Sequence, residues 1–220
     1  MKFDKHIVSK FYSEIESDKF HRYKSWEHCY KEFSESNDID KLSLHLAFYL
    51  ASWGMYRGSS GLLQKDYKVH HGAVEIIGSS KFQSIRAFES EIKRDHIPLI
   101  LELFNELSNY YGGIEYARNG KELKITPTDT LITKVILGTL GCIPAYDRFF
   151  NLGLAETGIT QKVGKRSLNQ LFDFIDTDNN VELIKIATTD VTANNLKYPT
   201  MKILDMFFWS IGYEKSLKSL

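Results

Sequence analysis

The sequence predicts an all-α fold class: a mainly helical single domain over residues 1–220, with one small β-hairpin near residues 114–125. Three observations predict it. Apolar residues recur at helical spacing along most of the chain, as in Leu131, Ile132, Val135, Ile136 and Leu140. Several of these runs open near a proline and close near a glycine, which is how helices start and stop. The segment Ile114–Ile125 breaks the period and centres on Asn119-Gly120, the preferred dipeptide of a type I′ hairpin turn.

Ile7, Phe11 and Ile15 mark a first helix, and Tyr23, Trp26, Tyr30 and Phe33 a second. Asp38 or Asp40 caps a third through Leu42, Leu46, Tyr49, Leu50 and Trp53, apolar almost all round as a central packed helix would be. Leu62–Ile77 holds one or two more, and Ser79–Arg94 is ambiguous. Pro98 sits in the first turn of a helix ended by Gly112-Gly113. A turn at Asn119-Gly120 pairs Tyr116 with Leu123, Glu115 with Lys124 and Ile114 with Ile125, so apolar and opposite-charge partners each share a face. Thr126-Pro127 opens the next helix, with threonine as cap and Gly141 as stop. Ser167-Leu168-Asn169-Gln170 reads as a capping box, and Pro199 to Gly212 bounds the last helix.

Composition narrows the function classes. The 220 residues are 43% hydrophobic and 25% charged, which excludes a disordered chain. With 28 basic and 28 acidic residues there is no overall field to draw the chain to duplex DNA or anionic lipid. Two cysteines, Cys29 and Cys142, are too few for a disulfide framework and point to a reducing compartment. With no signal peptide or apolar span legible, the expectation is a cytoplasmic protein that does not engage the membrane. No cofactor or metal is expected: His70 and His71 are adjacent and cannot share a helix face, and His71 with Glu75 lacks a second histidine.

Two segments carry candidate chemistry. Trp53-Gly54-Met55-Tyr56-Arg57-Gly58-Ser59-Ser60-Gly61 follows the most apolar helix. Its glycines let backbone N–H groups approach a ligand, its arginine binds phosphate or carboxylate, and its rings stack on planar groups. The second segment, Gly138–Phe150, places Asp147-Arg148 just past a corner, at the start of a new helix.

That corner, with Asp147 before Arg148 and an apolar helix, resembles the catalytic-aspartate segment of helix-hairpin-helix DNA glycosylases. Leu204-Asp205-Met206-Phe207-Phe208-Trp209 looks like the closing helix of some 8-oxoguanine glycosylases of that superfamily, so the likeness spans roughly the last 90 residues. The resemblance implies Asp147 as the essential carboxylate and Lys134 as the Schiff-base amine. The family's Gly-x-Gly hairpin motif is absent: Thr128-Asp129-Thr130-Leu131-Ile132-Thr133 precedes Lys134.

The first functional expectation is a small-molecule or nucleotide binder with a helix-lined pocket for a planar anionic ligand. Arg57 and Arg148 would hold the anion, Trp53 and Tyr146 would stack, and Ser59 and Ser60 would add hydrogen bonds. The alternatives are a glycosylase-like enzyme using Asp147 and Lys134, with nucleic acid as partner, and a protein–protein interaction module. The oligomeric state stays open.

Overall fold

The computed structural model describes residues 2–57, 60–177, 179–193 and 196–218. Among them, α1 (Lys5–Glu16), α2 (Lys24–Glu35), α3 (Ile39–Ser52) and α4 (His71–Gly78) form the first half, with short 3₁₀ turns at Gly61–Gln64, Tyr67–His70 and Ser80–Ile85. α5 (Ile97–Gly112) leads into the hairpin β1 (Glu115–Arg118) and β2 (Lys121–Lys124). α6 (Asp129–Thr139), α7 (Arg148–Ala155), α8 (Lys165–Asp176) and α9 (Asn180–Asp190) follow. A two-residue ladder of β3 (Thr192–Ala193) with β4 (Leu196–Lys197), unforeseen in the sequence, precedes α10 (Thr200–Lys218).

The mainly helical fold with its hairpin is as expected. β1 and β2 pair Glu115 with Lys124 and Tyr116 with Leu123, and Ile125 N–H donates to the Ile114 carbonyl at 2.9 Å. Asn119 and Gly120 both adopt positive φ, 52° and 72°, as a type I′ turn requires.

Several boundaries differ from expectation, each for a local reason. The cap of α6 is Thr128, whose hydroxyl accepts from Leu131 N–H at 3.2 Å, so Pro127 lies before the helix. α8 begins at Lys165, which moves Ser167 from a cap into the buried first turn, where it donates to the Thr160 carbonyl. α10 runs past Gly212 to Lys218 because that glycine serves packing and not termination. α3 is not wrapped on all sides: Leu44 and Phe48 are 52% and 58% exposed, one turn apart on one face.

α6 and α10 supply the centre. Leu131–Thr139 and Met201–Trp209 are buried without interruption, which explains why neither helix shows a polar face in its middle. α7 crosses α10 with backbones in near contact, since a Cβ on Gly153 would collide with the Phe208 carbonyl and one on Gly212 with the Phe149 carbonyl. Only residues without a Cβ permit this approach.

Gly153→Ala and Gly212→Ala are each expected to cost about 1–3 kcal/mol, because backbone cannot yield as a side chain would. Thermal unfolding should show a drop of roughly 2–4 °C per kcal/mol. Gly78→Ala, where a new Cβ meets no atom within 4 Å, should leave the melting temperature unchanged or raise it.

Candidate functional site

The start of α7 is built by side chains that pin an otherwise irregular segment. Gly141 turns the chain with φ +66°, against Pro199 and Tyr30. Ala145 N–H then donates to Asp205 Oδ1 at 3.0 Å, and Tyr146 N–H donates to Thr133 Oγ1 at 2.8 Å. The Tyr146 carbonyl accepts from Thr130 Oγ1 at 2.9 Å. So held, Asp147 becomes the N-cap of α7, its Oδ1 accepting from Phe149 and Phe150 N–H at 3.0 Å.

The other carboxylate oxygen faces inward. Lys134 Nζ donates to Asp147 Oδ2 at 2.9 Å, with the two side chains 3% and 14% exposed. A second pair lies beside it on α10, where Lys202 Nζ meets Asp205 Oδ2 at 2.9 Å and both are almost wholly buried. Both ammonium groups sit against Trp53, Lys134 at 4.4 Å and Lys202 at 5.5 Å from the ring centroid. Two buried cations are thus balanced by two carboxylates and by the negative face of an indole. Buried Tyr49 packs on the same indole, and burial, reinforced by the negative charge of Asp205, pushes its hydroxyl pKa well up.

From Trp53 the aromatic contacts continue outward. Tyr23 stacks on Trp53 at 4.2 Å, Trp209 meets both rings edge-on, and Phe149 and Tyr213 pack on Trp209 at 5.2 and 5.0 Å. Arginines edge this array. Arg22 lies over Tyr23, with a guanidinium-to-centroid distance of 4.8 Å, and Arg148 lies over Phe149 at 5.6 Å. Arg57 Nε donates to the Gly54 carbonyl at 2.7 Å, one residue beyond Trp53. Among the described residues none of these three arginines has a carboxylate partner, whereas Arg86 and Arg94 each do.

The structure therefore brings Trp53, Arg57, Lys134, Asp147 and Arg148 to one end of the molecule. Tyr146 points elsewhere: its ring is 1% exposed and its hydroxyl is within 2.6 Å of Ser167 Oγ. Ser60 caps the 3₁₀ turn that follows it, accepting from Leu62 N–H at 3.2 Å. Ser59 lies outside the described residues. Arg22, Tyr23, Lys202, Asp205 and Trp209 were not singled out from the sequence as site residues. A usable signal existed for one couple, because Lys202 and Asp205 are the charged residues of the otherwise uncharged run Met201–Trp209. A groove of about 1090 Å³ runs elsewhere, between residues 87–94, α8, α9 and Tyr198–Met201, and none of the candidate residues lines it. Both cysteines are buried, and burial pushes each thiol pKa up, away from reactivity.

The Trp53–Gly61 segment is tethered by a buried histidine. Tyr56 Oη lies 2.7 Å from His70 Nε2, and Tyr111 Oη lies 2.7 Å from His70 Nδ1. A neutral ring suits this arrangement, one nitrogen donating and the other accepting. Burial, aided by neighbouring His71, lowers the His70 pKa from 6.5 to about 3.

No protein-family model, curated protein or solved structure matches this chain.

Asp147→Asn keeps an acceptor at the cap but leaves the Lys134 ammonium buried without its counter-charge. It is expected to lose about 3–5 kcal/mol in urea unfolding, and Lys134→Met added to it should restore a large part of that loss. Between about pH 6.5 and 3 the unfolded chain protonates at position 70 and the folded chain does not. The contribution of His70 to stability should accordingly fall as pH drops through this window, by on the order of 1 kcal/mol per unit. Melting curves from pH 7 to 4 measure this, and His70→Gln should flatten the contribution.

Proposed function

We propose that the chain binds a planar anionic ligand, a nucleotide or nucleobase-bearing molecule, over the Trp53 end. The observation that carries this reading is the gathering of Arg22, Arg57 and Arg148, none paired to a carboxylate, around the Tyr23–Trp53–Trp209 array. With no carboxylate partner among the described residues, the three guanidinium groups are left for an anionic ligand. Arginine supplies anion contacts, and the partly exposed edges of Tyr23 and Trp53, with the exposed ring of Tyr213, supply apolar contact for a planar group. Tyr146 has no part in this version of the site, because Ser167 holds its hydroxyl inside the core.

A second reading rests on the 2.9 Å contact of Lys134 Nζ with Asp147 Oδ2. In a glycosylase-like reaction Asp147 would accept a proton from the Lys134 ammonium. The freed amine would attack the sugar C1′ while the C1′–N bond breaks, its electron pair and a proton from Asp147 leaving with the base. The C1′–O4′ bond would then break, O4′ taking a proton that the nitrogen gives up, and the C1′=N bond that forms would leave the opened sugar as a protonated Schiff base on Lys134.

Titration with purine and pyrimidine monophosphates, followed by tryptophan fluorescence and thermal shift, tests the first reading. Arg57→Ala and Arg148→Ala are each expected to weaken binding about tenfold, as for loss of a charged hydrogen bond. A monophosphate series that changes neither signal overturns it. The second reading predicts a borohydride-trapped adduct with damaged-base oligonucleotides that Lys134→Met abolishes; no adduct with the unaltered chain rejects it.

A further inference from the structure

We infer that the groove between residues 87–94, α8, α9 and Tyr198–Met201 is a second binding site, separate from the Trp53 end, for a free amphipathic anion: an alkyl chain with one carboxylate head. The groove has a volume of about 1090 Å³, at the upper end of what small-molecule sites enclose. One wall, residues 87–93, has no regular secondary structure, yet the fold anchors it at both ends. Ala87 N–H donates to the Leu140 carbonyl at 2.9 Å. At the other end Arg94 reaches Asp173 Oδ1 at 2.8 Å and Asp176 Oδ2 at 3.0 Å, both on α8. Between these anchors the groove presents apolar surface. Phe88, Ile92, Ile175 and Leu196 line it half-buried, and Val181 lines it 53% exposed. An alkyl chain laid along these residues would complete their burial.

The lining charges set the sign of the head. Arg94 is paired with Asp173 and Asp176, and Glu89 is paired with Arg86. Left without an ion-pair partner among the described residues are Lys93, Lys185 and Lys197, against Glu91. Three cations against one acid favour an anion. A buried lining residue adds a polar group that has no use within the fold. Tyr30 is 1% exposed, its ring meets Phe88 at 5.8 Å, and its hydroxyl is buried with no hydrogen-bond partner among the described residues. Buried hydroxyls are nearly always paired, and burial pushes the Tyr30 pKa up, keeping the proton available to donate. A carboxylate oxygen in the groove would supply the missing acceptor.

Calorimetry and thermal shift with decanoate, decanol, decylammonium and phosphatidylglycerol vesicles test this assignment. Decanoate is expected to bind at least tenfold more tightly than decanol, and decylammonium not at all. From butyrate to decanoate, each added CH₂ should tighten binding about threefold to fourfold. Lys185→Met and Lys197→Met should each weaken decanoate roughly three- to tenfold. Val181→Asp should weaken it by a similar factor and leave the melting temperature of the free protein in place, since that side chain is exposed at the start of α9. Tyr30→Phe should weaken decanoate roughly two- to tenfold without lowering the melting temperature of the free protein, because the hydroxyl it removes has no partner. Arg57→Ala should leave decanoate binding unchanged. Equal affinity for decanol or decylammonium, affinity independent of chain length, or indifference to the lysine and Val181 variants overturns the inference. Vesicle binding without binding of free decanoate overturns it too, as does the absence of any decanoate binding. None of these outcomes bears on nucleotide binding at the Trp53 end.

Discussion

The crossing of α7 over α10 is the constraint on which the rest of the arrangement depends. Gly153 and Gly212 let the two backbones approach until each glycine faces a carbonyl of the other helix, Phe208 and Phe149 respectively. Asp147, at the start of α7, thereby stands close enough to α10 for the segment before it to be tied to Asp205. Phe149 lands on Trp209, and the aromatic series that reaches Trp53 and Tyr23 follows from that contact. A larger residue at either glycine would push the start of α7 outward and loosen the site as a whole.

The two buried Lys–Asp pairs have a different standing. Desolvating four charges costs several kcal/mol each, and their attraction repays this only where geometry is good and the remaining lone pairs are used. Here they are used. Asp147 also caps a helix, Asp205 also holds Ala145 N–H, and both ammonium groups rest on Trp53. Lys134–Asp147 joins α6 to the start of α7, and Asp205, oriented by Lys202 on its own helix, holds Ala145 N–H, so the segment before α7 is tied to both α6 and α10. Around them, the unpaired arginines are the complement, charge left on the outside of a site whose interior charge is balanced.

Much of the fold was legible because it is local. Asn119-Gly120 dictates a turn, the turn dictates register, and the pairs Glu115–Lys124 and Tyr116–Leu123 follow. The helices of Ile7–Ile15, Tyr23–Phe33 and Leu131–Leu140 follow from apolar spacing alone. The misreadings share a cause, since Ser167 and Gly212 carry local signals for a cap and a stop but are employed in packing. α3 misled in the other direction: Leu44 and Phe48 look like core residues by chemistry and lie on the surface.

Site residues divide in the same way. The placement of Asp147 at a helix start could be read from Pro144 to Phe150, because capping involves neighbours in sequence. Its contact with Lys134 spans 13 residues and needs α6 and α7 to be docked. That Arg22 and Tyr23 join Trp53, or that Tyr146 turns inward to Ser167, depends on contacts between elements far apart in the chain. Helix period, turn chemistry and charge balance act over a few residues and so are written locally. Which rings and charges share one end of the molecule is decided by how whole helices pack, where the near contact of α7 with α10 outweighs local preference.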